Sequence, residues 1–274
     1  MRAPRVFHRG AGRSTGRPRR VLVTGAASGL GLEFARVYLG RGDRVTLTDI
    51  HETPPSPVTA LSGDWSYRKL DVTDEADWAA AAQEVGSLDV LVSNAGIGVG
   101  GRITGTSLAT WRRALDINLL GSVRGVRAML PRMGGGGQIV LTASLAGLVH
   151  APSMAAYNAT KAATVALGET LDGELRCRGI SVTTVCPQFF RSGLAGSLTG
   201  DDASADRVAR SLLKYTWLDA ATVARRGVRG ADARRVTVTP DAFATLSWYS
   251  KRFTRVPYLL VMRLIGRWVD RRLG

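Results

Sequence analysis

Between residues 20 and 187, short apolar runs rich in β-branched side chains alternate with longer segments of helical period. Residues 21–23, 44–48, 65–70, 88–92, 138–142 and 180–185 read as strands. Residues 30–39, 74–85, 106–129 and 155–178 carry the apolar spacing or alanine content of helices. This alternation leaves few folds open. A helix that crosses over between two strands makes them parallel, and a parallel sheet needs helices on both faces. The expectation is an α/β chain with a doubly wound parallel sheet and a single domain over 20–240. A basic tail at 1–19 and an amphipathic extension at 241–274 flank it.

On such a sheet, ligands gather at the C-terminal strand ends. Asp49, Asp71, Asn94, Ser144 and Pro187 all fall just beyond expected strand ends. The first strand-to-helix turn reads Thr24-Gly25-Ala26-Ala27-Ser28-Gly29-Leu30-Gly31. Glycines there permit tight backbone geometry and let a diphosphate approach the amides of the helix N-terminus. The spacing G-x-x-x-G-x-G differs from the G-x-G-x-x-G fingerprint, and a structural turn with no ligand is the competing reading. Asp49 follows about 20 residues later, the position from which a carboxylate bonds the adenosine ribose hydroxyls. It would repel a 2′-phosphate, and Ala27, Ser28 and Ile50 offer no cation to receive one, so NAD is favoured and NADP is the alternative. Asp71-Val72 is placed to meet the adenine, with a helix cap or turn as the rival role. Ser93-Asn94-Ala95-Gly96 makes a sharp corner that lets backbone pass close to a flat cofactor.

Tyr157 and Lys161 stand four residues apart in an alanine-rich helix and therefore share one face. A phenol titrates near pH 10 in water, about three units too high for proton transfer at neutral pH, and a nearby ammonium lowers that value. Ser144 supplies a hydroxyl to hold a substrate oxygen. A lone Tyr-x-x-x-Lys pair also occurs on solvated helix faces. Asn118, among Leu115, Ile117, Leu119 and Leu120, reads as a solvated position or a helix kink. Pro131 and the four glycines Gly134 to Gly137 are expected to end that helix and lead into the next strand.

Taken together, these residues resemble the short-chain dehydrogenase/reductase family over roughly 20–240, which implies a Rossmann-like fold. The resemblance rests on the Thr24–Gly31 turn, Asp71, Asn94-Ala95-Gly96, Asn118, Ser144, Tyr157 with Lys161, and Pro187. It implies that Tyr157 is the general acid/base and that Ser144 holds the reacting oxygen. Lys161 would bond the nicotinamide ribose and depress the Tyr157 pKa, and the Asn118 backbone would anchor a relay water. Gly25, Ser28, Gly29, Leu30, Gly31, Asp49, Asp71, Val72, Asn94, Ala95, Gly96, Tyr157, Lys161, Pro187 and Ser192 would bind the cofactor. Hydride passes directly between substrate carbon and nicotinamide, so no metal is required. Two positions depart from the family: Gln188 stands where a glycine is usual, and Ser192 replaces the threonine that bonds the carboxamide. Residues 188–217 correspond to the variable substrate lid. Phe189, Phe190, Leu194, Leu198, Leu212, Tyr215 and Trp217 there imply an apolar alcohol or ketone. Family members pair as dimers or tetramers through the helices around Asn118 and Tyr157.

Charge is distributed unevenly. The first 20 residues hold seven arginines and no acid, and residues 206–274 hold 15 basic and five acidic side chains. Residues 21–205 are nearly balanced, with 15 basic and 17 acidic. Nucleic acid is not an expected partner, because a binder of it would carry its basic footprint on the folded core. The leader lacks the apolar core of a secretory signal, no run approaches a membrane span, and two cysteines without metal spacing fit a reducing interior. A cytoplasmic setting is expected, with peripheral membrane attachment as the alternative. The 241–274 extension interleaves apolar and basic residues. It reads either as a surface-binding amphipathic helix or, preferably, as a helix packed over the substrate cleft or a partner subunit.

Overall fold

The computed structural model describes residues 16–188 and 218–273. Seven strands form one sheet: β1 (Arg20–Thr24), β2 (Arg44–Asp49), β3 (Trp65–Lys69), β4 (Leu88–Ser93), β5 (Met133–Thr142), β6 (Ser181–Val185) and β7 (Thr237–Val238). Their spatial order is β3-β2-β1-β4-β5-β6-β7, and every pairing is parallel. The chain winds outward from β1, returns, and winds outward in the other direction from β4. A crevice opens at that reversal, beyond the C-terminal ends of β1 and β4.

Among the described residues, the helices are α1 (Gly29–Leu39), a short α2 (Ser56–Thr59), α3 (Glu75–Val85), α4 (Leu108–Leu115), α5 (Gly121–Met129), a short α6 (Ala146–Val149), α7 (Ala155–Leu175), α8 (Ala220–Asp232), α9 (Ala242–Phe253) and α10 (Arg255–Leu273). Side chains alternate across a strand, which assigns each helix a face. Val21, Val23, Leu47, Val90 and Val92 pack with Phe34 and Tyr38 of α1 and Val223 and Val228 of α8. Leu22, Leu91, Ile139 and Leu141 pack on the opposite face with Trp78 of α3 and Val126 and Met129 of α5. Fully buried side chains such as Phe34 and Trp78 contribute about 1.5–3 kcal/mol each. The doubly wound parallel sheet expected from the alternation is the fold.

Four local expectations change. Gly134 to Gly137 belong to β5 rather than preceding it, and the β4–β5 register shifts between Leu88 and Val90 to accommodate them. The 106–129 segment is two α-helices joined by a π turn, Asp116–Leu120. The 241–274 extension is a pair of helices, with Thr254 between them. Arg19, assigned to the tail, is bonded to the domain: its Nη2 lies 2.8 Å from Asp43 Oδ2, and its guanidinium stacks over Tyr38.

One helix–sheet contact fixes the height of α7. A Cβ at Gly168 would lie 1.9 Å from Thr184 Oγ1 on β6, so the helix rests on the strand at backbone distance. Overpacking of this kind costs about 1–3 kcal/mol. Gly168→Ala is expected to lower the unfolding free energy measured in urea by that amount, and an unchanged value would show that Thr184 simply turns aside.

Candidate active site

The glycine turn is shaped by what lies against it. Gly25 and Gly29 have φ of +63° and +55°, left-handed values that glycine adopts without cost. A Cβ at Gly25 would lie 2.8 Å from Ala95 Cα, and one at Gly31 would lie 2.1 Å from the Gly25 carbonyl oxygen. The turn is thus pressed onto the corner after β4, with the start of α1 tucked beneath it. Ser28, Gly29 and Leu30 line the cleft beside the open first turn of α1, whose leading N–H groups have no intrahelical acceptor. Gly31 does not line the cleft; it makes the close approach possible.

Asn94 ties three strands together. Its Nδ2 donates to the Thr24 carbonyl (3.0 Å), and its Oδ1 accepts from Thr142 Oγ1 (3.2 Å). Thr24 Oγ1 in turn accepts from the amides of Asn94 (2.9 Å) and Ala95 (3.0 Å). At the other end of the cleft, Asp49 Oδ2 accepts from the Ala27 amide (3.0 Å) and Oδ1 from the Ile50 amide (2.9 Å). His51, which the sequence reading did not weigh, places its Nδ1 2.7 Å from Asp49 Oδ1. Asp71 and Val72 form the adjoining wall, with Asp71 Oδ1 accepting from Thr73 N and Oγ1. The turn role weighed for Asp71 and its place on the cleft wall therefore coexist.

Ser144, Tyr157 and Lys161 converge on the same cleft, which has a volume of about 420 Å³. Gly147 brings them together. A Cβ there would lie 2.5 Å from the Lys161 carbonyl group, so α6 seats directly on α7. Pro187 holds the Ser144 loop from the other side, its carbonyl accepting from the Leu145 amide at 2.8 Å. Lys161 Nζ donates to the Thr142 carbonyl (2.9 Å) and lies 5.8 Å from the Tyr157 ring centre. Burial pushes the Lys161 ammonium down to about 8. Burial also raises the Tyr157 phenol, opposed by its hydrogen bond with Ser144. Ser144 is thus the neighbour that offsets part of the rise in Tyr157.

Asn118, expected on a solvated position or a kink, is buried. Its Oδ1 accepts from the Ile97 amide (2.8 Å), and its Nδ2 donates to the Ile97 carbonyl (3.0 Å) and Thr160 Oγ1 (3.3 Å). Its own carbonyl accepts from Thr164 Oγ1 at 3.3 Å. The π turn sets this orientation, a common device at functional sites. Gln188 lines the cleft; Ser192 and the remaining lid residues lie outside the described residues. The sequence reading missed Thr24, His51, Gly147 and Thr160. It also missed Arg113, which lines the cleft from α4.

A glycine turn at the switch point, a carboxylate at the end of β2 and a Ser-Tyr-Lys cluster across one cleft define a dinucleotide-dependent α/β oxidoreductase. The short chain dehydrogenase family model matches residues 19–203, and the chain belongs to the short-chain dehydrogenase/reductase family. It is 37% identical over 206 residues to 2-(S)-hydroxypropyl-CoM dehydrogenase 3 of Xanthobacter autotrophicus, covering 71% of this chain and 81% of that one. It is 36% identical over 178 residues to 3-alpha-(or 20-beta)-hydroxysteroid dehydrogenase of Mycobacterium tuberculosis, covering 62% and 68%. A short chain dehydrogenase/reductase from Burkholderia phymatum, solved in complex with NAD, superposes with a TM-score of 0.80 at 28% identity, covering 86% and 93%. The protein is an oxidoreductase that moves hydride between a nicotinamide cofactor and an alcohol or ketone.

Keeping a charge on Lys161 opposes folding. An unfolded lysine titrates near 10.5 and this one near 8, so between those values the unfolded chain binds more protons and stability rises with pH. Below pH 8 the full penalty applies, on the order of 3 kcal/mol before the Thr142 hydrogen bond offsets part of it. Lys161→Met is expected to be inactive yet to melt higher than wild type at pH 7, with the gap closing between pH 8 and 10.5. A variant that melts lower throughout would contradict this.

Proposed function

We propose that the protein interconverts an apolar secondary alcohol and its ketone using NAD, with Tyr157 as the proton-transferring group. The observation that carries this reading is the placement of Tyr157, beside Ser144 and Lys161, at one end of the cleft that has Asp49 and the glycine turn at its other end. The residues present fit the dinucleotide: the turn has no room for a Cβ at Gly25 or Gly31, and its amides and Ser28 suit a diphosphate. Asp49 would take the adenosine ribose, Asp71 and Val72 would border the adenine, and Asn94, Ala95 and Gly96 would back the flat rings. Lys161 would hold the nicotinamide ribose, beside Pro187. When bound, the nicotinamide supplies or accepts the hydride.

In the reducing direction, Ser144 and Tyr157 donate hydrogen bonds to the ketone oxygen and position its carbon for attack. Tyr157 gives up its proton as that oxygen becomes negative, leaving a phenolate. The buried Lys161 ammonium, 5.8 Å from the Tyr157 ring centre, would stabilise that phenolate, and the Asn118 carbonyl would anchor water that returns the proton from solvent. In the oxidising direction the phenolate removes the alcohol proton as hydride leaves carbon. Val99, Leu145, Val149 and Met154 give the Tyr157 end an apolar wall, consistent with a hydroxysteroid-like or similarly apolar substrate. The helices around Asn118 and Tyr157 would pair copies of the chain into a dimer or tetramer.

Tyr157→Phe is expected to lower ketone reduction by at least about 100-fold while NADH still binds in a fluorescence titration; full activity would overturn the assignment. The preference for NAD should depend on Asp49: Asp49→Ala removes the carboxylate that repels a 2′-phosphate, so the NADP-to-NAD ratio of kcat/KM should rise. A wild type that prefers NADP at pH 8 would refute the role given to Asp49.

A further inference from the structure

α9 and α10 turn one apolar face inward and leave a second one bare. Inward, Ala244 is buried with Leu145, Leu148 and Cys186. Lys251 Nζ donates to the Leu148 carbonyl, and Tyr258 Oη donates to the Val149 carbonyl, each at 2.6 Å. Gly266 passes beside Pro152. Val256, Leu260 and Leu264 recur every four residues on the side of α10 opposite Tyr258, and are 70%, 51% and 60% exposed. On α9, Trp248, Tyr249 and Phe253 stack in a ladder with centroids 5.4 and 5.9 Å apart, and Phe253 is 73% exposed. A helix that is apolar on both sides has two faces to cover, and contiguous exposed apolar patches mark interaction sites.

Charge selects the occupant. Residues 242–273 contain seven basic side chains and one acid, Asp270, and Arg263 and Arg267 stand exposed beside the Leu260–Leu264 stripe. A second copy seated face to face would bring these cations against one another with a single acid on each side to neutralise them. Lipid phosphates provide the missing negative charge. Among the described residues, no helix is long and apolar enough to cross a membrane, so the pair would lie in the interface plane.

We infer that α9 and α10 form a docking surface for an anionic lipid bilayer. Phe253, Leu260 and Leu264 enter the acyl boundary while the arginines meet headgroup phosphates, the arrangement of interfacial helices. The segment that carries these helices, 149–152, also lines the cleft through Val149 and Ala151. Docking therefore places the Tyr157 end of the cleft beside the lipid, where an apolar alcohol or ketone would partition. This last consequence rests on the hydride-transfer reading; the docking itself does not.

The test is co-sedimentation of the full chain with phosphatidylcholine vesicles, with and without phosphatidylglycerol. Wild type is expected to bind the anionic vesicles and to bind pure phosphatidylcholine about tenfold less well. Leu260→Gln/Leu264→Gln and Arg263→Gln/Arg267→Gln should each weaken anionic binding about tenfold while NADH affinity is unchanged, which shows that the cleft is intact. Absence of vesicle binding, or equal binding by wild type and both variants, overturns the inference. So do variants that instead split an oligomer in sedimentation velocity, since the face would then belong to a second copy. NADH titration and turnover of soluble ketones report separately on the oxidoreductase reading.

Discussion

The buried carboxamide of Asn118 holds the site together. Through one side chain it bonds both backbone groups of Ile97, in the loop that follows β4, and the hydroxyl of Thr160 on the Tyr157 helix. Its own carbonyl is bonded by Thr164, one turn further along. An amide with these partners is costly to bury if any one of them moves, so the loop, the π turn and α7 are constrained to one arrangement. Tyr157 and Lys161 inherit their position from it. Gly96 sits close enough that an added Cβ would come within 3.0 Å of the Asn118 side-chain oxygen, which ties the corner after β4 to the same constraint.

Around that bracket, the chain uses missing side chains as often as present ones. Gly25 and Gly31 let the turn sit against Ala95, Gly147 lets α6 sit on Lys161, and Gly168 lets α7 sit on β6. These approaches build a cleft tight enough to desolvate Lys161 and Tyr157. The resulting pKa shifts diverge, the ammonium downward and the phenol upward, which brings the lysine toward neutral pH and takes the tyrosine away from it. The site thus keeps a charge that opposes folding, a common trade of stability for activity. Ser144 is the group that offsets the rise in Tyr157, which makes it more than a substrate anchor.

Much of this was legible in the sequence wherever the chemistry is local. Strand alternation gave the sheet, and the polar residues at strand ends marked the cleft before any contact was known. Gly25 and Gly29 were readable because a strand-to-helix turn requires them. Gly147 was not, because its need arises from Lys161, fourteen positions away in sequence, and nothing in Ser144-Leu145-Ala146-Gly147 announces that neighbour. Asn118 left a solvated position and a helix kink both open, because a π turn depends on tertiary packing rather than on local propensity. His51 was overlooked because the ring folds back onto Asp49 only in three dimensions. The extension posed a choice between packing inward and facing outward; one face packs on residues 148–152 and another is exposed.

The central claim is that proton transfer depends on the Asn118 bracket and not on the three reacting side chains alone. Its most direct test is the turnover of Asn118→Ala for ketone reduction, expressed per molecule that binds NADH so that misfolded protein does not count. The account predicts a rate at least about 100-fold below wild type among molecules that bind cofactor normally. A rate within a few-fold of wild type would show that Ser144, Tyr157 and Lys161 hold their geometry without it.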